Sequence, residues 1–172
     1  MKLELVSPNH PALHSRANVD VFESEVDVVE YETAMLKLMA DRFGLGLASP
    51  QVGNLYNMFV MNHSEHGDIG VYNPELLSVS DTKIAREEGC LTFPLLFMNI
   101  TRPESIKVKY VKTDKTVVEE ELHGTDAQCF HHEWEHLQGI LFIQGASDMK
   151  LQRAMKKREK TIKKLQQMQG QQ

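Results

Sequence analysis

The chain has 172 residues, 41% hydrophobic and 25% charged, a balance that fits one folded domain of ordinary size and excludes a mainly disordered chain. No apolar run approaches the ~18 residues that span a bilayer, the start (MKLELVSPNH) lacks a signal peptide's apolar stretch, and Cys90 and Cys129 are too few for a disulfide framework. The 24 acids and 19 bases give −5, unevenly: from Lys150 onward eight basic residues face one acid, Glu159, so a +7 segment follows a body of −12. A soluble monomer in a reduced cytoplasm is expected, bacterial or that of a host if the source is viral, with no membrane partner. The basic end suits contact with a polyanion, a fold-back onto the acidic body, or a solvated helix.

In chain order, Tyr31, Met35, Leu38, Met39 and Phe43 recur at three and four, so the spacing predicts a helix over 28–43 that Gly44 stops. Residues 57–61 and 71–72 read as short strands. Ile106, Val108 and Tyr110 alternate with Lys107 and Lys109, the period-two mark of a half-buried strand. A turn at Thr113-Asp114-Lys115 lets 116–122 pair with it. Thr125 and Gln128 fit a capping box at the start of a second helix that ends at Gly139. A third helix is expected after Ser147-Asp148, through the basic tail. This pattern argues for an α+β fold, with residues 1–147 as a single catalytic domain and 148–172 as a basic helix or tail.

Residues 132–136 read His-Glu-Trp-Glu-His. Side chains at i and i+4 on a helix share a face with Cβ atoms about 6 Å apart, so His132 and His136 can close on one divalent ion while Glu133 reaches a water beside it. Two histidines and one further ligand leave a coordination position open, as catalysis requires. Among the remaining candidates, scattered acids included, Cys90 follows Gly89 in a tight segment and is the better ligand. Cys129 precedes His132 by three residues and reads as a small buried group. His131 cannot share the face of His132 and is read as non-ligating. His63 and His66 fall in a Gly/Asp-bearing segment and read as a solvated loop. Gly44 to Gly53 could be mistaken for a phosphate cradle, but it lacks the Lys-Ser/Thr ending and the G-x-G-x-x-G spacing.

Together, three segments resemble the signature motifs of the peptide deformylase family. G-x-G-L-A-A-x-Q matches Gly44 to Gln51 with Ser49 for the second alanine. E-G-C-L-S matches Glu88 to Thr92 with Thr for Ser. Q-H-E-x-D-H matches His131 to His136, with His131 for Gln and Glu135 for Asp. The resemblance runs from about Met35 to Phe142. It implies antiparallel sheet packed around the helix that bears the two histidines. It also implies one divalent metal on Cys90, His132 and His136, typically Fe2+, with Zn2+, Ni2+ or Co2+ able to substitute. The implied reaction is hydrolysis of the N-formyl group on the methionine of new polypeptides, which releases formate.

The resemblance further assigns Glu133 as the acid–base group, and the Gln51 amide and the Leu91 N–H as donors to the oxyanion, each worth ~3 kcal/mol. Glu88 and Arg102 match an ion pair that steadies the Cys90 loop. Leu45, Gly46 and Gly89 should hydrogen-bond an extended peptide, as strand addition does. An apolar pocket bounded by Leu45, Cys129 and His132 should take methionine. Thr125 and Gln128 make that pocket more polar if they face it, and only cap the helix if they do not. The resemblance also implies that the basic terminal helix docks on the ribosome. Two alternatives stand beside this reading: a zincin-like peptidase, and a silent metal- or ribosome-binding module.

Overall fold

The computed structural model describes residues 1–169. Helix α1 spans Val28–Asp41 and starts at Asp27, whose side chain accepts the Glu30 N–H (2.9 Å). It stops two residues before the predicted end. Phe43 takes the left-handed conformation (φ 55°), and the Phe43 and Gly44 N–H groups fold back on the carbonyls of Ala40 and Met39. The helix buries Tyr31, Met35, Leu38 and Met39, the positions picked out by their spacing.

The strands follow as β1 (Gly46–Ala48), β2 (Met58–His63), β3 (Gly67–Val79), β4 (Lys83–Cys90), β5 (Phe93–Pro103), β6 (Ser105–Val111) and β7 (Val117–His123). All pairings among them are antiparallel. Five strands form one sheet in the order β1-β2-β3-β6-β7, while β4 and β5 pair as a separate hairpin. The β6–β7 register joins Val111 to Val117 around the expected turn, where Lys115 adopts φ 66°. The β4–β5 hairpin was not foreseen. Helix α2 covers Gly124–Leu137, and α3 covers Asp148–Gln169. The last three positions of the expected terminal helix, 170–172, lie outside the described residues. Among the described residues, no helix is long and apolar enough to cross a membrane.

Helix α2 lies against one face of the five-stranded sheet. Ala127, Phe130 and Leu137 pack there with Phe59, Met61, Val71, Ile106, Val108, Tyr110 and Leu122, which recur at every second position along their strands. The core of α1 adjoins it through Leu47, Met58 and Val60. A third cluster joins Leu96, Met98 and Ile100 of β5 to Phe142, with Leu151 and Ala154 of α3 packed on its outside. The expected capping box does not form. The helix starts a residue earlier, at Gly124, its N-cap is His123 without a side-chain bond, and Gln128 is turned toward β4 instead.

Candidate active site

Three pieces of backbone converge on the inner end of α2. The burial that holds α2 on the sheet also desolvates His132 (7% exposed), Glu133 (4%) and His136 (1%). The two imidazoles face one another with ring centroids 4.9 Å apart at 74°. The β4–β5 hairpin brings Cys90 to them. Its ladder slips at Gly89/Cys90, a bulge that re-aims the last residue of β4. Cys90 Sγ then lies 3.2 Å from His136 Nε2, and the ligand atoms of Cys90, His132 and His136 all fall within 4.8 Å of one another.

Segment β1 and the short 3-10 turn after it, Ser49–Val52, form the third piece. Gln51 is buried. Its Oε1 accepts the Ala48 N–H (2.8 Å), while its Nε2 donates to Thr92 Oγ1 (3.2 Å) and Cys90 Sγ (3.5 Å). The segment is pinned from α1 by Tyr31, whose hydroxyl bonds Ser49 Oγ at 2.8 Å. Gly46 must be glycine here, because a Cβ would stand 2.5 Å from Glu133 Oε1.

Around the triad lies a buried charge network. Arg102 donates two bonds to Glu88, Nε to Oε2 and Nη2 to Oε1, both 2.7 Å, in the bidentate geometry that suits a planar guanidinium. Its Nη2 also lies 2.9 Å from Glu135 Oε2. Glu88 Oε1 in turn holds His132 Nδ1 at 2.6 Å, which leaves Nε2 of that ring for a ligand role. Gln128 Nε2 donates to Glu88 Oε2 (3.1 Å) and Glu87 O (3.4 Å). Taken alone, Glu88 reads as one of a run of exposed acids. Glu135 and Gln128 were not foreseen as parts of this network, nor Thr92 as the partner of Gln51.

Electrostatics follow from that burial. Desolvation opposes ionisation of Glu88, yet its hydrogen bonds from Arg102 and His132 prevail and hold its pKa at about 2. Burial, opposed by the charge of His132 and aided by that of Glu88, pushes Glu133 up to about 7. Burial lowers His132, but its bonds to Cys90 and Glu88 reverse the direction and raise it well above the ordinary histidine value. His136 is driven down, first by burial and then by the charge on His132. A site that pulls a proton onto one of two adjacent imidazoles is one that a cation relieves. His136 Nδ1 and Glu133 Oε2 are buried without hydrogen-bond partners. The donor set of one cysteine sulfur and two imidazoles therefore fits a divalent metal ion.

A cleft of about 780 Å³ opens on this cluster. Its walls include Leu45, Gly46, Gly89, Cys90, Leu91, Thr125, Gln128, Cys129, His132 and Glu133, whereas Gln51, Arg102 and His136 do not line it. Leu45 O is already engaged by the Asn62 N–H (2.8 Å) and the Cys129 thiol (3.3 Å). Burial raises the pKa of Cys129, which keeps it a neutral group beside the triad. His131 stays outside the triad and tilts against Trp134 at 6.0 Å.

Antiparallel sheets folded around a helix with this cluster describe an α+β metallohydrolase. Comparison with known proteins narrows the class. The sequence model of the polypeptide deformylase family matches residues 2–152. The chain is 41% identical to a peptide deformylase of Thermotoga maritima over 140 residues, 81% of this chain and 84% of that one. It is 34% identical to one from Phenylobacterium zucineum over 165 residues, 93% and 96% of the two chains. Its fold superposes on a Thermotoga maritima peptide deformylase crystal structure with a TM-score of 0.79 (38% identity, 86% of this chain and 99% of that one). It also matches a peptide deformylase from Legionella pneumophila with 0.83 (28% identity, 96% and 98%). The chain belongs to the polypeptide deformylase family, hydrolases that remove N-formyl groups.

Proposed function

We propose that Cys90 and the two α2 histidines, His132 and His136, hold one divalent ion, Fe2+ by preference with Zn2+, Ni2+ or Co2+ as substitutes. A soft thiolate beside two imidazoles supports a soft, redox-capable ion, whose charge when bound polarises the formyl carbonyl. Glu133, poised near neutrality by burial, takes the proton of the attacking water at its carboxylate and passes it to the departing amine. The Leu91 N–H donates to the oxygen as it gains negative charge, and Gln51 Nε2 joins it by giving up its bond to Cys90 or Thr92. Glu88, fixed by Arg102, orients His132 through Nδ1. The observation that carries this reading is the approach of Cys90 Sγ to His136 Nε2, 3.2 Å across 46 residues of sequence.

The substrate is the formylated methionine end of a nascent polypeptide. Its main chain runs beside Leu45, Gly46 and Gly89, and its side chain enters between Leu45, Cys129 and His132. Thr125 and Gln128 line the same cleft, but Gln128 ties its amide to Glu87 and Glu88, so methionine remains the expected occupant. Residues 1–147 act as the catalytic unit of a cytoplasmic monomer, and α3 offers its basic surface to ribosomal RNA. The decisive experiment measures formate release and metal content on one anaerobically purified sample. Release from a formyl-Met peptide with at least one metal ion per chain is expected. Equal cleavage of an acetylated peptide, or undiminished release after the metal is stripped, would sink the proposal.

A further inference from the structure

A second cluster of ligand-type side chains sits away from the triad and shares no residue with it. It begins at the β2–β3 turn, His63-Ser64-Glu65-His66-Gly67, where Gly67 closes the hairpin with φ 71°. His63 is the last residue of β2 and follows Phe59 and Met61 on the face that α2 covers, so it is not in a solvated loop but only 3% exposed. Its Nε2 is buried without a hydrogen-bond partner and lies 3.7 Å from Glu120 Oε2 of β7. The other oxygen of Glu120 is fixed by the Tyr110 hydroxyl at 2.8 Å, which leaves Oε2 aimed at His63. The exposed His66 ring stacks on His63 with centroids 4.5 Å apart. Ligand atoms of His63, His66 and Glu120 all fall within 4.8 Å of one another.

Charge points the same way. Besides Glu120, the carboxylate of Asp126 in the first turn of α2 faces the cluster, with Oδ2 4.0 Å from His63 Nδ1. Asp126 also accepts the Ser64 N–H (3.2 Å) and so fixes the turn. Side-chain exposure is 22% for Glu120 and 12% for Asp126, yet among the described residues neither pairs with a Lys or Arg. Tyr110 and Ser64 supply hydrogen bonds to these carboxylates but no charge, so their negative charge is left for a cation to neutralise.

We propose that His63, His66 and Glu120 form a second site for a divalent transition-metal ion of the Zn2+ class. Two imidazole nitrogens and one carboxylate oxygen select Zn2+, Ni2+ or Cu2+ over Ca2+ and Mg2+, and the absence of a thiolate from the set sets it apart from the triad. The exposed His66 ring can turn out of its stack to bring its nitrogen in plane with the ion. His63 must shift a proton. Its Nδ1 now accepts the Glu65 N–H at 3.1 Å, which places the ring hydrogen on Nε2. Binding through Nε2 transfers that hydrogen to Nδ1, where Asp126 is the acceptor and the Glu65 contact is given up. A carboxylate behind a ligating imidazole is the usual support for such a ring. The occupied site clamps the β2–β3 turn to β7 and to the start of α2.

Equilibrium dialysis of the full chain against micromolar Zn2+ tests this directly. Two ions per chain are expected for the native protein and one for His66→Ala or Glu120→Gln, with formate release unchanged. In the 15N spectrum of the native chain, the His63 ring proton should move from Nε2 to Nδ1 as the second equivalent binds. This readout does not depend on any variant folding. A single ion on the native chain, a second ion retained by His66→Ala, or an unmoved His63 signal would each overturn the proposal.

Discussion

Helices α2 and α3 follow one another with ten residues between them and share almost nothing in their surroundings. Seven of the fourteen residues of α2 are buried, among them His132, Glu133 and His136, while α3 buries none of its twenty-two. Water sets the effective dielectric on α3, so a pair such as Lys163–Glu159 at 2.9 Å is screened and contributes little. On α2 the same kinds of group are desolvated, held by neighbours and shifted from their ordinary pKa values. Ionisable side chains are held fixed on α2, whereas α3 leaves its charges in water and meets the body through Leu151 and Ala154, packed on the β5 cluster.

Glu133→Gln gives the sharpest contrast. The amide matches the carboxylate in volume and keeps the packing under Gly46, but it cannot carry a proton between water and amine. Formate release is expected to fall by about 10³-fold, within the range for a lost general acid–base group, while bound metal and thermal stability stay near native values. Retention of more than a tenth of native turnover would remove Glu133 from its role.

The next effect appears in acid. Glu88 has its pKa held at about 2 against an ordinary value of 4.5, so in the folded protein its ionised form is the favoured one. A depressed carboxyl contributes stability that is complete above pH 4.5 and disappears as pH falls toward 2. The shift corresponds to about 3 kcal/mol. Denaturant unfolding of the native chain across that window should show the loss, and Glu88→Gln should flatten the dependence. Parallel curves for the two proteins would mean that the Arg102–Glu88 pair does not stabilise the fold in this way.

Gly46→Ala tests the same centre from the opposite wall. The new methyl would meet Glu133 Oε1 at 2.5 Å, and since β1 is pinned by its ladder with β2, the carboxylate has to move. A displacement on the order of 1 Å at a reacting group costs about 10²-fold, so formate release should drop by that factor without loss of metal. An unchanged rate would show that the position of Glu133 against Gly46 does not set the rate.

Much of this centre was legible in the sequence because it rests on local spacing. The i, i+4 histidines need only a helix, and the Val28 helix and the β6–β7 pair follow from periodicity. What was missed depends on partners distant in the chain. The Glu88–Arg102 pair came from the family resemblance and not from local pattern. Leu96, Met98, Ile100 and Arg102 alternate along β5, which could have signalled an inward-facing arginine, yet Glu88 taken alone read as one of a run of exposed acids. Nothing local shows that Gln128 abandons its capping role for Glu88, because the bond spans 40 residues. His63 read as solvated for the same reason: the cover over it comes from α2 and β7.

The smallest effect belongs to α3. Besides the packing of Leu151 and Ala154, it is tied to β5 by Arg158 Nε, which donates to Pro94 O at 2.7 Å. Pro94 lines the cleft, so the tether touches the rim of the site without reaching the triad. Removing one hydrogen bond at the surface should lower the unfolding free energy of Arg158→Ala by about 1 kcal/mol, read from the urea midpoint. Deformylation of a short formyl-Met peptide should not change, because nothing that Arg158 contacts bonds Glu133, Gln51 or the ligand set. A marked rise in KM for the short peptide would break the comparison, since it would make α3 a support of the cleft wall as well as a charged surface.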